Sequence, residues 1–114
     1  MNTGLSALDI QLIVSAIAQH PEIQQAKIFG SRAKNTYKKG SDVDIALLMN
    51  SSVSAAKRKS ILLALHEELE EKLPLPYFFD LIDFATINNP ALIEHIERVG
   101  VALNLSNSEL PTKY

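Results

Sequence analysis

Two aspartates separated by a single valine, Asp42 and Asp44, are the residues of this sequence whose type and spacing most directly suggest chemistry. They lie at the start of an apolar run at 43–48 that is typical of a strand. On a strand, side chains two positions apart point to the same side, with Cα atoms roughly 6.5 Å apart. Carboxylates that share a face repel each other unless a cation lies between them. The pair therefore predicts a site for Mg²⁺, which prefers oxygen ligands and usually binds substrate phosphate as well.

Gly30 and Ser31 lie upstream of this pair, with ten residues between Ser31 and Asp42. They follow a β-prone run at 26–29 and open a segment, 31–38, that is predicted to form a short helix. Because glycine has no Cβ, a phosphate can approach the backbone closely, and a serine hydroxyl at a helix N-terminus adds a donor. The turn is therefore predicted to bind an anion.

A third strand is predicted at 77–84, where two aspartates, Asp80 and Asp83, interrupt aromatic and branched residues. The two aspartates are three positions apart, so they point to opposite faces of the strand. If this strand lies beside that of Asp44, Asp80 joins the pair and can act as a general base and a second metal ligand. Strand parity favours Asp80, but an error of one residue in the register would exchange it for Asp83.

Apolar periodicity predicts helices at 6–19 and 54–72, and a third helix that begins after the Asn89 cap. A last strand is predicted at 101–105. Helices that alternate with strands in this way predict an α/β (α+β) domain with a mixed sheet.

With 114 residues, the chain is long enough for one hydrophobic core, and 1–114 is predicted to be a single domain with a core at about 5–105 and a polar tail at 106–114. The absence of cysteine excludes disulfides and thiolate metal sites. A net charge of −2 gives no general reason to bind nucleic acid. No apolar run approaches the roughly 18 residues of a membrane span. We expect a cytoplasmic protein with neither a membrane nor a nucleic-acid partner.

The segment 29–48, FGSRAKNTYKKGSDVDIALL, resembles the nucleotidyltransferase motif of the DNA polymerase beta superfamily, in which Gly-Ser is followed after ten residues by Asp-x-Asp. The segments FFDLIDFAT and IEHIERVGVALNL extend the resemblance to the minimal nucleotidyltransferases (MNT proteins), which are often paired with HEPN-domain toxins. The resemblance implies the nucleotidyltransferase-type mixed β-sheet of about four strands with flanking helices.

The resemblance also implies roles for the residues that match the motif. The phosphate-binding pair falls on Gly30 and Ser31, the metal-binding aspartates on Asp42 and Asp44, and the third carboxylate on Asp80. The implied activity is the Mg²⁺-dependent transfer of AMP from ATP to a hydroxyl of a HEPN toxin, with tyrosine as the implied acceptor and two ions at the site. In this reading the protein is the antitoxin of a toxin–antitoxin pair.

Two other functions remain open at this point. One is a non-catalytic antitoxin that neutralises its partner by binding alone. The other is a nucleotidyltransferase that acts on a hydroxyl of a small molecule. The presence of Asp42, Asp44 and Asp80 favours catalysis over binding alone.

Separate roles are predicted for Arg32 and the three histidines. Arg32 follows the Gly-Ser pair, and either contact with phosphate or a structural salt bridge is expected of it. Since His20, His66 and His95 have no ligand spacing with one another, surface or capping roles are predicted for them.

Overall fold

The computed structural model describes residues 3–38 and 40–107, and these residues form a four-stranded mixed sheet with helices on both faces. The strands are β1 (Ile23–Phe29), β2 (Val43–Met49), β3 (Phe79–Asp83) and β4 (Val101–Ala102). The α-helices are α1 (Ala7–Ala18), α2 (Ala55–Glu67) and α3 (Pro90–Val99). The strand order is β3-β2-β1-β4, in which β1 is antiparallel to β2 and β4, and β2 is parallel to β3. The predicted α+β fold with about four strands is confirmed.

Alternation along β2 divides the sheet into two faces of different character. On one face, called here the core face, alternate residues of β2 pack with α1 and α2 in the larger hydrophobic cluster: Val43, Ile45, Leu47 and Met49. On the opposite face, called here the α3 face, Asp44 and Ala46 lie on the same side as Phe29 of β1. Phe29 and Ala46 form the smaller cluster with Ile96 of α3.

Side-chain caps set the helix starts that the sequence predicts. The Ser6 hydroxyl accepts a hydrogen bond from the Asp9 N–H at 3.0 Å, and the Asp9 carboxylate accepts one from the Ser6 N–H at 3.3 Å, which completes a capping box. Ser54 caps α2 through the Lys57 N–H at 3.2 Å, and Asn89 caps α3 in the same way. These caps satisfy backbone donors that have no partner within the helix.

The predicted helix at 54–72 is present, but its last part is not α-helical. After α2 the chain widens into a π-helical turn, Glu68–Lys72, which ends before Pro74. This turn brings the Glu70 carboxylate to the start of β3, where it accepts the Phe79 N–H at 2.7 Å. The turn thereby fastens the β3 edge strand.

The prediction of a short helix at 31–38 is wrong. A single helical turn follows Gly30 and is closed at Asn35, which adopts a left-handed conformation with φ of 61°. The Asn35 N–H donates to the Arg32 carbonyl at 3.4 Å, and the Thr36 N–H donates to the Ser31 carbonyl at 2.9 Å. This is the hydrogen-bond pattern of a Schellman helix end, so the helix cannot continue.

The predicted last strand, 101–105, is shorter in the structure. Only Val101–Ala102 is strand, and a 3₁₀ turn follows at Leu105–Asn107. Residues 108–114 of the predicted polar tail lie outside the described residues. In the part of the chain that the structure describes, no helix has the length and hydropathy needed to cross a membrane.

Candidate active site

Three aspartates meet at one corner of the α3 face, where β1 ends and β2 and β3 begin. Asp44 is partly buried on β2 and pairs in the parallel register with Asp80 of β3, which is exposed. Asp42, also exposed, immediately precedes β2. The register is already set there, because the Val43 N–H donates to the Phe78 carbonyl at 2.9 Å.

The electrostatics of this corner are unfavourable for a bare carboxylate. Burial raises the pKa of Asp44 above its ordinary value, and the negative charges of Asp80 and Asp42 raise it further, while Arg32 acts in the opposite direction. A cation bound between these carboxylates would remove the repulsion. Within residues 3–38 and 40–107, however, no three His, Asp or Glu side chains form a preassembled metal cluster. A cation here would therefore need ligands from elsewhere, such as a substrate phosphate.

Asp83 is engaged on the opposite face of the sheet. It is only 5% exposed, and both of its carboxylate oxygens accept from Arg58 Nη1 of α2, at 3.1 and 3.0 Å. One of these oxygens also accepts the Ala85 N–H at 3.1 Å, which starts the turn after β3. The observed register thus sets Asp80, and not Asp83, beside Asp44.

Gly30 ends β1 with a backbone conformation that favours glycine, since its φ is +73°. A Cβ on this residue would overlap the Asp44 carboxylate. In the structure the Asp44 carboxylate lies close to the Gly30 Cα, and the approach of a phosphate to the Gly30 backbone stays a prediction. Gly30 therefore provides the space in which Asp44 lies.

Ser31 begins the helical turn beside this carboxylate and is partly exposed. An open groove separates the turn from the N-terminal half of α3. It is lined by Gly30, Ser31, Lys34, Thr36, Asn89, Ala91, Leu92 and His95. The exposed Lys34 gives the groove a positive charge on the side of the turn, so the groove combines a hydroxyl, a cation and a backbone turn next to the three aspartates.

Arg32 has neither of the roles that the sequence predicts. The residue is 2% exposed, and its guanidinium donates to backbone carbonyls, to Ser41 at 3.2 and 2.7 Å and to Thr3 at 2.9 Å. It also lies over the rings of Tyr37 and Tyr77, 5.2 and 4.9 Å from their centroids. Arg32 therefore anchors the loop that leads into Asp42. Sequence alone gave no sign of its burial, because its partners are carbonyls distant along the chain.

His95 is a site residue that the sequence reasoning missed. Its Nε2 accepts the Gly30 N–H at 3.0 Å, and its ring meets the Phe29 ring edge-on, with centroids 6.2 Å apart. The role differs from the surface or capping role predicted for it. The available signal was helical spacing, because His95 follows Leu92 by three residues and therefore lies on the same side of α3.

Comparison with known proteins agrees with this geometry. The family model described as "Polymerase beta, Nucleotidyltransferase" matches residues 11–109. No curated protein matches the chain. A chain of the toxin–antitoxin complex MntA-HepT has 20% identity and a TM-score of 0.58, with 90% of this chain and 77% of that chain covered.

Two further solved structures are similar. A chain of a toxin–antitoxin complex with AMP-PNP has 23% identity and a TM-score of 0.58, over 84% of this chain and 72% of that one. A chain of the complex of tri-AMPylated Shewanella oneidensis HEPN toxin with MNT antitoxin has 22% identity and a TM-score of 0.53, over 83% and 71%. At these identities the likeness concerns the fold. The family match confirms the resemblance seen in the sequence: the chain belongs to the polymerase beta nucleotidyltransferase family.

Proposed function

We propose that this protein is a Mg²⁺-dependent nucleotidyltransferase that transfers AMP from ATP to a hydroxyl of a partner HEPN-family toxin and so acts as its antitoxin. The observation that carries the proposal is the grouping of Asp42, Asp44 and Asp80 beside the Gly30–Ser31 turn, in a chain of the nucleotidyltransferase family. A transferase follows from family membership, while the nucleotide, the acceptor and the antitoxin role are our inference.

The aspartates fit a magnesium site by their chemistry. All three offer hard oxygen donors. Burial raises the pKa of Asp44, and the negative charges of Asp80 and Asp42, which a cation would compensate, raise it further. Mg²⁺ commonly takes one or two protein carboxylates and completes its shell with water and substrate phosphate. Carboxylates that leave coordination positions free for water and phosphate would allow Mg²⁺ to bind in this way. We assign Asp42 and Asp44 to the cation, with Asp80 as a second-ion ligand. Bound Mg²⁺, two ions in this proposal, would neutralise charge on the triphosphate.

Different residues are assigned to different parts of the proposed reaction. The acceptor hydroxyl oxygen forms a bond to the α-phosphorus of ATP, the bond from that phosphorus to the bridging oxygen breaks, and pyrophosphate leaves. We assign proton removal from the hydroxyl to Asp80, because its carboxylate is exposed and pairs in register with Asp44. Ser31 is assigned to the triphosphate oxygens. The protein contributes mainly position and charge, as is usual in phosphoryl transfer.

A protein acceptor is supported by two independent observations. The three similar structures described above are toxin–antitoxin complexes, one with AMP-PNP and one with a tri-AMPylated HEPN toxin. In addition, Phe78 is 71% exposed two residues before Asp80, and by strand alternation it lies on the same face. An exposed aromatic ring beside a reactive carboxylate favours contact with a macromolecule. We propose a tyrosine hydroxyl as the acceptor and the cytoplasm, where ATP is available, as the location.

The test is the intact mass of the partner. The purified protein is incubated with ATP, Mg²⁺ and the HEPN-domain protein encoded beside its gene, and the partner mass is expected to rise by one AMP moiety per transfer. Asp44→Asn is expected to abolish the rise. Glu94→Gln, on the exposed side of α3, is the matched control and is expected to act like the wild type. A partner that is inhibited without any gain in mass would contradict the proposal and identify a binding antitoxin.

A further inference from the structure

We propose that His95 is a positioning residue of this site, whose Nε2 holds the Gly30 N–H and thereby keeps the Gly30–Ser31 turn closed against Asp44. The inference rests on the proposed function, because Asp44 is there assigned to the metal. His95 does not touch the reacting groups in this proposal. It acts through the backbone that borders them.

The contacts form a chain from α3 to the aspartate corner. The Gly30 N–H donates to His95 Nε2 at 3.0 Å, and the Gly30 Cα lies so close to the Asp44 carboxylate that a Cβ would overlap it. Gly30 thus contacts both the imidazole and the carboxylate. Because the two contacts share one residue, loss of the His95 bond would free the backbone that borders Asp44.

The hydrogen bond between the Gly30 N–H and His95 forms just beyond the end of the β1–β2 ladder. The β1–β2 register ends at Phe29, which pairs with Asp44, so Gly30 lies one residue beyond the ladder. A partly buried N–H at such a point needs a partner. His95 supplies it from a position 65 residues away in sequence. The bond therefore joins α3 to the strand end.

The environment of the imidazole suits an acceptor. Nε2 can accept only when the ring is neutral and its proton is on Nδ1. Burial lowers the pKa of His95, and the charges of Lys34 on the turn and Arg98 on α3 lower it further. The imidazole also packs edge-on against the Phe29 ring. A lowered pKa favours the neutral ring, as acceptance of the Gly30 N–H requires.

Two substitutions distinguish the effect of the hydrogen-bond acceptor of His95 from the effect of its side-chain volume. His95→Leu fills similar space without an acceptor, whereas His95→Gln keeps an amide oxygen that reaches about as far as Nε2. We expect His95→Leu to lower the rate of AMP transfer by about 10- to 100-fold, the usual loss when a residue that orients site groups is removed. His95→Gln is expected to stay within a few-fold of the wild type. Equal loss in both variants, or wild-type rates in His95→Leu, would overturn the proposal.

A spectroscopic measurement tests His95 without relying on transfer. In ¹⁵N-labelled protein, a scalar coupling across the hydrogen bond is expected between the Gly30 amide nitrogen and His95 Nε2. The Gly30 amide is also expected to exchange with solvent faster in His95→Leu than in His95→Gln. Absence of the coupling and equal exchange in the two variants would refute the positioning role. If the wild type shows the coupling but transfers no AMP, the proposed function fails while the contact stands.

Discussion

Asp80 and Asp83 lie three residues apart on β3 and point to opposite faces of the sheet. On the core face, Asp83 is buried, and its charge is matched by Arg58 and by a backbone N–H. On the α3 face, Asp80 is exposed and adds its negative charge to that of Asp44. On the core face the aspartate is paired with a cation, whereas on the α3 face three carboxylates gather at one corner, opposed by the charge of Arg32.

From this difference we expect Asp83 to contribute to stability and Asp80 to contribute to the proposed reaction. A buried ion pair such as Asp83–Arg58 is costly to break, because the remaining charge is left without a partner. The aspartates of the α3 face have the opposite property, since burial and then repulsion from Asp80 and Asp42 disfavour the charged form of Asp44. Functional sites often retain such unfavourable arrangements at some cost in stability. The faces can therefore be distinguished by substitutions that change activity and stability in different directions.

The largest effect is expected for Asp44→Asn. Loss of the carboxylate that we assign to the metal should remove several kcal/mol of transition-state stabilisation, so AMP transfer should fall by at least about 10²- to 10³-fold. The melting temperature of the metal-free protein should rise at neutral pH, because a disfavoured charge has been removed. Parallel transfer assays and thermal melts in EDTA measure both effects. A variant that loses stability along with activity would contradict this view of the α3 face.

Gly30→Ala is expected to have the next largest effect. The added Cβ would displace the Asp44 carboxylate, and a displacement of about 1 Å at a reacting centre can cost about 10²-fold in rate. Gly40→Ala is the matched control, because Gly40 has a similar φ of +83° but open space around its Cα. Both variants should lose about 1–2 kcal/mol of stability from left-handed strain. Equal activity in the two variants would show that the space beside Asp44 does not matter.

A smaller and purely structural effect is expected for Asp83→Asn. Removing this charge leaves Arg58 partly buried without its counter-ion, which should lower the free energy of unfolding by about 3 kcal/mol. Transfer per folded molecule should be unchanged. Asp80→Asn should show the converse, with transfer lost and stability changed by no more than about 0.5 kcal/mol. Urea unfolding and AMP transfer are measured on both variants. Lost transfer in Asp83→Asn, or a large loss of stability in Asp80→Asn, would contradict the prediction.

The smallest effect concerns the pH dependence of stability. Because the pKa of Asp44 is raised in the folded state, its proton stabilises the fold at acid pH, and this contribution is lost as pH rises through the folded-state pKa. The gain in melting temperature from Asp44→Asn should therefore be least near pH 4 and grow toward pH 7. Saturating Mg²⁺ should reduce the gain. A gain independent of pH would mean that the Asp44 charge is not disfavoured.

Much of this arrangement follows from local rules that a sequence displays. Caps such as Ser6 with Asp9 are local, and strand alternation separates Asp80 from Asp83. The failures have one local and one tertiary cause. Asn35 ends the helical turn by adopting a left-handed conformation that many other residues avoid. Arg32 is buried against a carbonyl and a ring from distant segments, and the apolar periodicity of the sequence does not predict such contacts.

In the candidate site, likewise, some features follow from the sequence pattern and others depend on tertiary packing. The spacing of Gly30, Asp42 and Asp44 predicts that these residues act together, and the structure brings them to one corner. That Gly30 makes room for a carboxylate, and that His95 holds its N–H, depends on how α3 docks on the end of β1. A docking contact across 65 residues has no local signature.

The central claim is that the α3 face, and not the core face, binds a magnesium–nucleotide complex. The most direct test is an NMR titration of ¹⁵N-labelled protein with Mg²⁺ and AMP-PNP. We expect shifts at the amides of Gly30, Ser31, Asp44 and Asp80, small changes at Arg58 and Asp83, and loss of the Mg²⁺-dependent shifts in Asp44→Asn. Shifts centred on the core face, shifts unaltered by Asp44→Asn, or no shifts at millimolar ligand would contradict the claim.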